Sequence, residues 1–196
     1  MKIVGLTGSI GMGKSATAEM FRDAGVLVFD ADAEVHRLQR KGGTALPLID
    51  AAFPGVIKDG ELDRAKLGAL VFNDGDAKAR LEAIIHPMVA GARVEFFKVA
   101  EKAQAPFVVL DVPLLFETGG EKACDKVIVV SAPAEVQRER ALARSGMSAE
   151  KFEQILAKQT PDADKRARAD YIVETDKGFD HVRDLVAKII AELKET

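Results

Sequence analysis

Eight residues near the start constrain the fold more than anything else in the chain: Gly8-Ser9-Ile10-Gly11-Met12-Gly13-Lys14-Ser15. They follow a short apolar run at 3–7 and open a helical pattern at 14–24. A G-x-x-x-x-G-K-S run between a strand and a helix is a phosphate-binding loop, or P-loop. Gly8, Gly11 and Gly13 let the backbone turn several N–H groups into one cavity, and the helix that follows adds its positive end. Lys14 neutralises the β- and γ-phosphates of a nucleoside triphosphate, and the Ser15 hydroxyl ligates Mg²⁺.

The rest of the chain repeats the strand-then-helix pattern. Runs at 26–30, 107–112 and 127–130 are short, apolar and rich in Val and Ile, so with 3–7 they read as buried strands, and 171–173 reads as a fifth. Helical periods lie at 33–41, 64–72, 76–85, 87–103, 134–143, 149–158 and 179–193. Pro87 opens one of them, where a missing N–H costs nothing. The expected fold class is α/β: a three-layer P-loop NTPase core around a parallel five-stranded sheet, with a helical substrate-binding insert and a helical lid. One domain is expected, with its core at about 1–31, 105–133 and 169–196, its insert at about 32–104 and its lid at about 134–168.

Composition narrows the function. With 28 Lys+Arg against 31 Asp+Glu, the net charge is −3 and pI about 5.7, without the basic excess of a nucleic-acid binder. The single cysteine, Cys124, excludes an internal disulfide and a cysteine-cluster metal site. The apolar start is short and interrupted by glycines, unlike a signal peptide, and no apolar run approaches membrane-spanning length. A cytoplasmic protein without membrane or nucleic-acid partners is expected, as a monomer or weak homo-oligomer.

Acidic and basic residues stand where a P-loop enzyme would use them. Asp30 and Asp32 end the second strand, and in an extended chain both face the crevice at the carboxyl end of the sheet. Asp32 either accepts a proton from an attacking hydroxyl or caps a helix starting at Ala33. Asp111 ends the third strand, where it holds Mg²⁺ directly or through water, or acts as a turn residue. On the helix at 134–143, Arg138 has Glu135 as a partner, whereas Arg140 and Arg144 stand at i,i+4 with no carboxylate three or four residues away. A phosphoryl group shared between them or a solvated face accounts for the pair. Arg166 and Arg168 either extend that site or pair with Asp162, Asp164 and Asp170, and His86 is a ligand contact, a hinge or a core residue.

No Asn-Lys-x-Asp element occurs, which argues against a GTPase. A short core with two helical inserts suits a small-molecule kinase, one insert holding the acceptor and one closing over the phosphates.

Four blocks in order carry a closer likeness: GLTGSIGMGKS at 5–15, FDAD at 29–32, IIHP at 84–87 and LDVPLLFE at 110–117. QILAKQ at 154–159 and RADYIV at 168–173 complete it, and essentially the whole chain resembles the dephospho-CoA kinase family. The resemblance implies transfer of the γ-phosphoryl of ATP to the 3′-hydroxyl of dephospho-CoA, with Mg²⁺ as cofactor. It implies Asp32 as general base, Lys14 and Arg140 stabilising the transferred group, and Ser15 holding Mg²⁺. ATP would lie on Gly8, Gly11, Met12, Gly13, Lys14, Ser15, Ala16 and Arg144, and the acceptor near Thr7, Asp32, His86, Leu114 and Arg140. Ser9, Met12 and Ala16 stand where the family often has Gly, Ser and Thr, and no Asn precedes Gly178 where the family commonly has one.

Overall fold

A computed structural model describes residues 1–72 and 74–195. Asn73, in the expected insert, and Thr196, at the end of the expected core, lie outside the described residues. The chain divides into two compact units, Met1–Phe29 with Ala100–Thr196, and Asp30–Val99.

The first unit is built on a parallel five-stranded sheet. Its strands are β1 (Lys2–Thr7), β2 (Val28–Asp30), β5 (Phe107–Asp111), β6 (Lys126–Ser131) and β7 (Tyr171–Glu174), in the order β2-β5-β1-β6-β7. β1 pairs in parallel with β5 on one side and β6 on the other, and β6 pairs in parallel with β7. Helix α1 (Lys14–Asp23) follows β1; α6 (Ala134–Leu142), α7 (Ala149–Leu156) and α8 (Asp162–Ala167) separate β6 from β7; α9 (Phe179–Glu195) closes the chain.

Alternation along the strands explains why the sheet is covered twice. Val4, Leu6, Ile128 and Val130 join one core with Phe21 of α1 and Val182, Val186, Ile189, Ile190 and Leu193 of α9. The intervening Val127 and Val129 join Leu115 and Phe116 in a second. Successive strand residues point to opposite faces, so a run apolar at every position needs cover on both. The α9 positions repeat at four, three, one and three residues, a single helical stripe. Each fully buried side chain of this kind stabilises the fold by about 1.5–3 kcal/mol.

The second unit has its own core of Leu38, Ile49, Phe53, Val56, Leu67 and Ile85. Its elements are α2 (Ala31–Gln39), α3 (Leu46–Ala52), a hairpin of β3 (Ile57–Lys58) and β4 (Glu61–Leu62), α4 (Arg64–Phe72) and α5 (Gly75–Lys102). The stretch is helical but for one antiparallel hairpin, which Asp59 and Gly60, both at positive φ, turn. One expectation fails here. Pro87 does not begin a helix: α5 runs through it unbroken. The proline removes one N–H from the ladder, but Ile84, Ile85, Met88 and Val89 around it pack into the unit's core and hold the helix together. Among the described residues no helix is long and apolar enough to cross a membrane.

Candidate active site

Everything in the loop turns on close approach. A Cβ at Gly8 would stand 2.8 Å from the Val130 carbonyl oxygen on β6. At Gly11, with φ +80°, it would stand 2.5 Å from the Gln137 carbonyl oxygen on α6. The loop is therefore seated directly on neighbouring backbone. Gly13 stands at the N-cap of α1 with no side-chain cap, so the first-turn amides of the helix point outward as donors.

Lys14 and Asp111 meet at the carboxyl ends of β1 and β5, where the ammonium pairs with the almost fully buried carboxylate. Ser15 and Ala16 are exposed on the first turn of α1. Gly13 and Ala16 line a mainly apolar cavity of about 190 Å³ with Thr17, Met20, Arg140 and Phe179. Beneath it, Met12 is buried, and its sulfur accepts from the Ala132 N–H.

Arg140 is anchored rather than free. Its guanidinium donates to the Thr175 hydroxyl and to the Thr175 carbonyl, each at 2.8 Å. The same hydroxyl donates to the Met12 carbonyl at 2.9 Å, which ties the arginine to the loop. Arg144 does not share the helix with Arg140: α6 ends at Leu142, and Arg144 lies exposed beyond it. Arg138 also differs from expectation, pairing with Glu153 at 2.7 Å and stacking over the Phe152 ring, a contact that Glu135 on its own helix does not offer. Arg166 bonds Ser131 and Glu174, and Arg168 pairs with Glu121 over the Phe116 ring.

After β5 the chain continues through Pro113, whose carbonyl accepts from the buried Thr7 hydroxyl at 3.1 Å. Leu114 is exposed. Glu117 pairs with the fully buried Lys165 at 2.9 Å and accepts from the Thr160 N–H at 2.8 Å. Burial alone would push the Glu117 carboxyl up, but Lys165 and the Thr160 N–H outweigh it and hold the carboxyl below its usual range.

In the second unit Asp32 occupies the first turn of α2, exposed and without a hydrogen bond or ion pair among the described residues. It does not cap that helix. Asp30 does, its carboxylate accepting from Ala33 N at 2.8 Å. Helix geometry begins at Ala31, so Asp30 and Asp32 are not two residues apart along one strand, and the extended-chain argument for a shared face fails. His86 is exposed on α5, neither a hinge between helices nor a core residue.

The structure thus gathers Lys14 with Asp111, and Gly13, Ala16 and Arg140 around one cavity, while Asp32 and His86 belong to the other unit. Sequence reasoning missed Thr175 and the two glutamines that touch Ile10, Gln137 and Gln159. For Thr175 the signal was its place just past a strand, the edge where ligands bind in such sheets.

Comparison with known proteins agrees with this geometry. The dephospho-CoA kinase family model matches residues 2–181. A dephospho-CoA kinase of Bradyrhizobium diazoefficiens is 57% identical, covering 98% of this chain and 96% of that one. One from Mesorhizobium japonicum is 56% identical, covering 99% and 98%. Among solved structures, TT1252 from Thermus thermophilus superposes with a TM-score of 0.82 at 36% identity, over 98% of this chain and 97% of that one. Dephospho-CoA kinase from Campylobacter jejuni gives 0.68 at 26% identity, over 100% and 98%. A shikimate kinase from Acinetobacter baumannii, 19% identical with a TM-score of 0.53 over 98% and 93%, shares the fold.

Proposed function

The chain belongs to the dephospho-CoA kinase family, and from that premise we propose that it transfers the γ-phosphoryl group of ATP to the 3′-hydroxyl of dephospho-CoA, giving CoA and ADP. The observation that carries the reading is the loop itself: outward amides at the start of α1, flanked by Lys14 and Asp111 and opening beside a cavity of about 190 Å³.

The triphosphate lies along the loop from Gly8 to Ala16, against the amides that open α1, where the helix end favours negative charge. Lys14 exchanges its Asp111 partner for phosphate oxygens. Arg140 offers five N–H donors, of which two hold Thr175, leaving three for an anion. Asp32 accepts the proton of the acceptor hydroxyl; an exposed carboxylate without partners keeps its lone pairs available for that. By the same family reading Thr7, His86 and Leu114 would contact the acceptor and Arg144 the nucleotide phosphates. The donor set fits Mg²⁺, a hard cation that takes a few protein oxygens and keeps several waters: the exposed Ser15 hydroxyl and the Asp111 carboxylate would hold it. When bound, the ion screens the charge that gathers on the transferring phosphoryl group. The protein acts in the cytoplasm, as a monomer or weak homo-oligomer, with ATP and dephospho-CoA as its partners.

A panel of alcohol acceptors with MgATP tests the reading, dephospho-CoA being expected to win; preference for a nucleoside monophosphate overturns it. Asp32→Asn is expected to lower kcat by roughly 10²–10⁴-fold with ATP binding kept. An unchanged kcat removes Asp32 from the role.

A further inference from the structure

Ile10, at the centre of the phosphate loop, has both of its backbone polar atoms taken by side chains. Gln137, buried on α6, donates from Nε2 to the Ile10 carbonyl at 2.8 Å. Gln159, just past α7, accepts from the Ile10 N–H through Oε1 at 3.0 Å. Two carboxamides from the stretch between β6 and β7, one on α6 and one just past α7, therefore grip one residue of the loop.

Neither glutamine is isolated. Gln137 stands one turn before Arg140, which reaches the Met12 carbonyl through Thr175. Gln159 precedes Thr160, whose N–H is held by Glu117 of the buried pair with Lys165. Hydrogen bonds at each end and short pieces of backbone between them thus link the loop to the arginine helix on one side and to the buried ion pair on the other. A glycine-rich loop has many conformations open to it, so contacts on the two peptide groups that flank the Ile10 Cα restrict it strongly. Apolar packing could hold α6 and α7 in place, but only a donor opposite the carbonyl and an acceptor opposite the N–H can fix how those two peptide groups are turned.

We propose that Gln137 and Gln159 are positioning residues which hold the phosphate loop in the form that receives the triphosphate, so that the segment between β6 and β7 sets affinity for the nucleotide. This rests on the kinase reading above. Gln159 acts as an acceptor and Gln137 as a donor, and the two must therefore respond oppositely to glutamate, which keeps the acceptor and loses the donor.

The test uses the full chain in two arms. In the first, hydrogen exchange is followed in peptides covering residues 8–13. Gln159→Glu keeps the protection of the parent, whereas Gln137→Glu loses it; Gln137→Met and Gln159→Met both exchange faster. If the two glutamate variants behave alike, the clamp is wrong. In the second arm, Gln159→Met and Gln137→Met raise KM for MgATP about three- to tenfold, the worth of one such hydrogen bond, with KM for dephospho-CoA within twofold. An unchanged or lowered KM for MgATP overturns the proposal. Failure of the parent protein to phosphorylate dephospho-CoA removes the kinase reading alone, because the exchange arm judges the clamp without any acceptor.

Discussion

Replacing Lys165 by methionine is the sharpest probe of the buried network. The lysine side chain is fully buried and its ammonium lies 2.9 Å from Glu117, itself only 13% exposed. Methionine fills much of the lysine stem's volume, so the change removes a charge while leaving little cavity. What remains is a buried carboxylate held by backbone N–H groups, that of Thr160 at 2.8 Å among them, with no cation beside it among the described residues. Breaking such a pair from one side costs about 3–5 kcal/mol, because the remaining charge is left uncompensated. For a chain of this size each kcal/mol lowers Tm by about 2–4 °C, so a fall of roughly 6–20 °C is expected. Glu117→Gln should damage the protein in the same way, leaving the ammonium unpaired. The double variant should recover most of the loss, since glutamine is neutral and still accepts from Thr160. The chain has no tryptophan and a single tyrosine, so far-UV circular dichroism in urea is the suitable probe. A single-variant loss below about 1 kcal/mol, or losses that simply add in the double variant, would refute a desolvated, mutually dependent pair.

Gly11→Ala is expected to destabilise by at least about 1–2 kcal/mol, the cost of a side chain at positive φ, and to weaken ATP binding, because the new methyl meets the Gln137 backbone carbonyl 2.5 Å away. A gain in stability, as at a strain-free glycine, would show that the loop tolerates a Cβ. The Glu117 carboxyl has an ordinary value of 4.5 and lies below it in the folded protein. Its stabilising contribution is therefore complete above that value and is lost as pH falls through the lower folded one. Thermal unfolding from pH 6 to pH 3 should fall more steeply for the parent than for the Lys165→Met/Glu117→Gln double variant, and parallel curves would contradict the assignment.

Legibility in the sequence followed how local the determinant is. The P-loop, the five strands and α9 were readable because each rests on contiguous residues: a glycine spacing, a short apolar run, a single helical stripe. Helix α4 was predicted at its observed limits of 64 and 72 for the same reason. The hairpin at 57–62 was readable in principle from Asp59-Gly60, but two-residue strands carry almost no periodicity. Helix α5 was split at Pro87 because the penalty of proline is local whereas the packing that overcomes it is tertiary. Asp32 stood as a candidate cap beside its catalytic reading because the helix was expected from Ala33, whereas α2 begins at Ala31 and Asp30 caps it; helix ends are uncertain by one or two residues. Gln137 and Gln159 had no local signature at all. Their partner lies 127 and 149 residues away in sequence, and a glutamine looks alike whether it faces water or a peptide.

Thr175 shows how much one short side chain past β7 can hold together. The run Glu174-Thr175-Asp176-Lys177-Gly178 holds no asparagine before its glycine. A threonine hydroxyl has one proton to give and two lone pairs to offer. At Thr175 the proton goes to the Met12 carbonyl and one lone pair takes the Arg140 guanidinium, while the backbone N–H bonds Ser131 and the backbone carbonyl takes the other arm of the arginine. One residue just past β7 therefore joins the end of β6, the phosphate loop and the arginine helix. Asparagine could replace the hydroxyl only with a larger amide at a place where Thr175 atoms already stand 3.2–3.3 Å from a Cβ at Gly13. The short, branched side chain is thus tied to the loop geometry: the approach that lets Gly13 start α1 leaves room for a hydroxyl and little more, and Arg140 is oriented by the same atom that holds the loop.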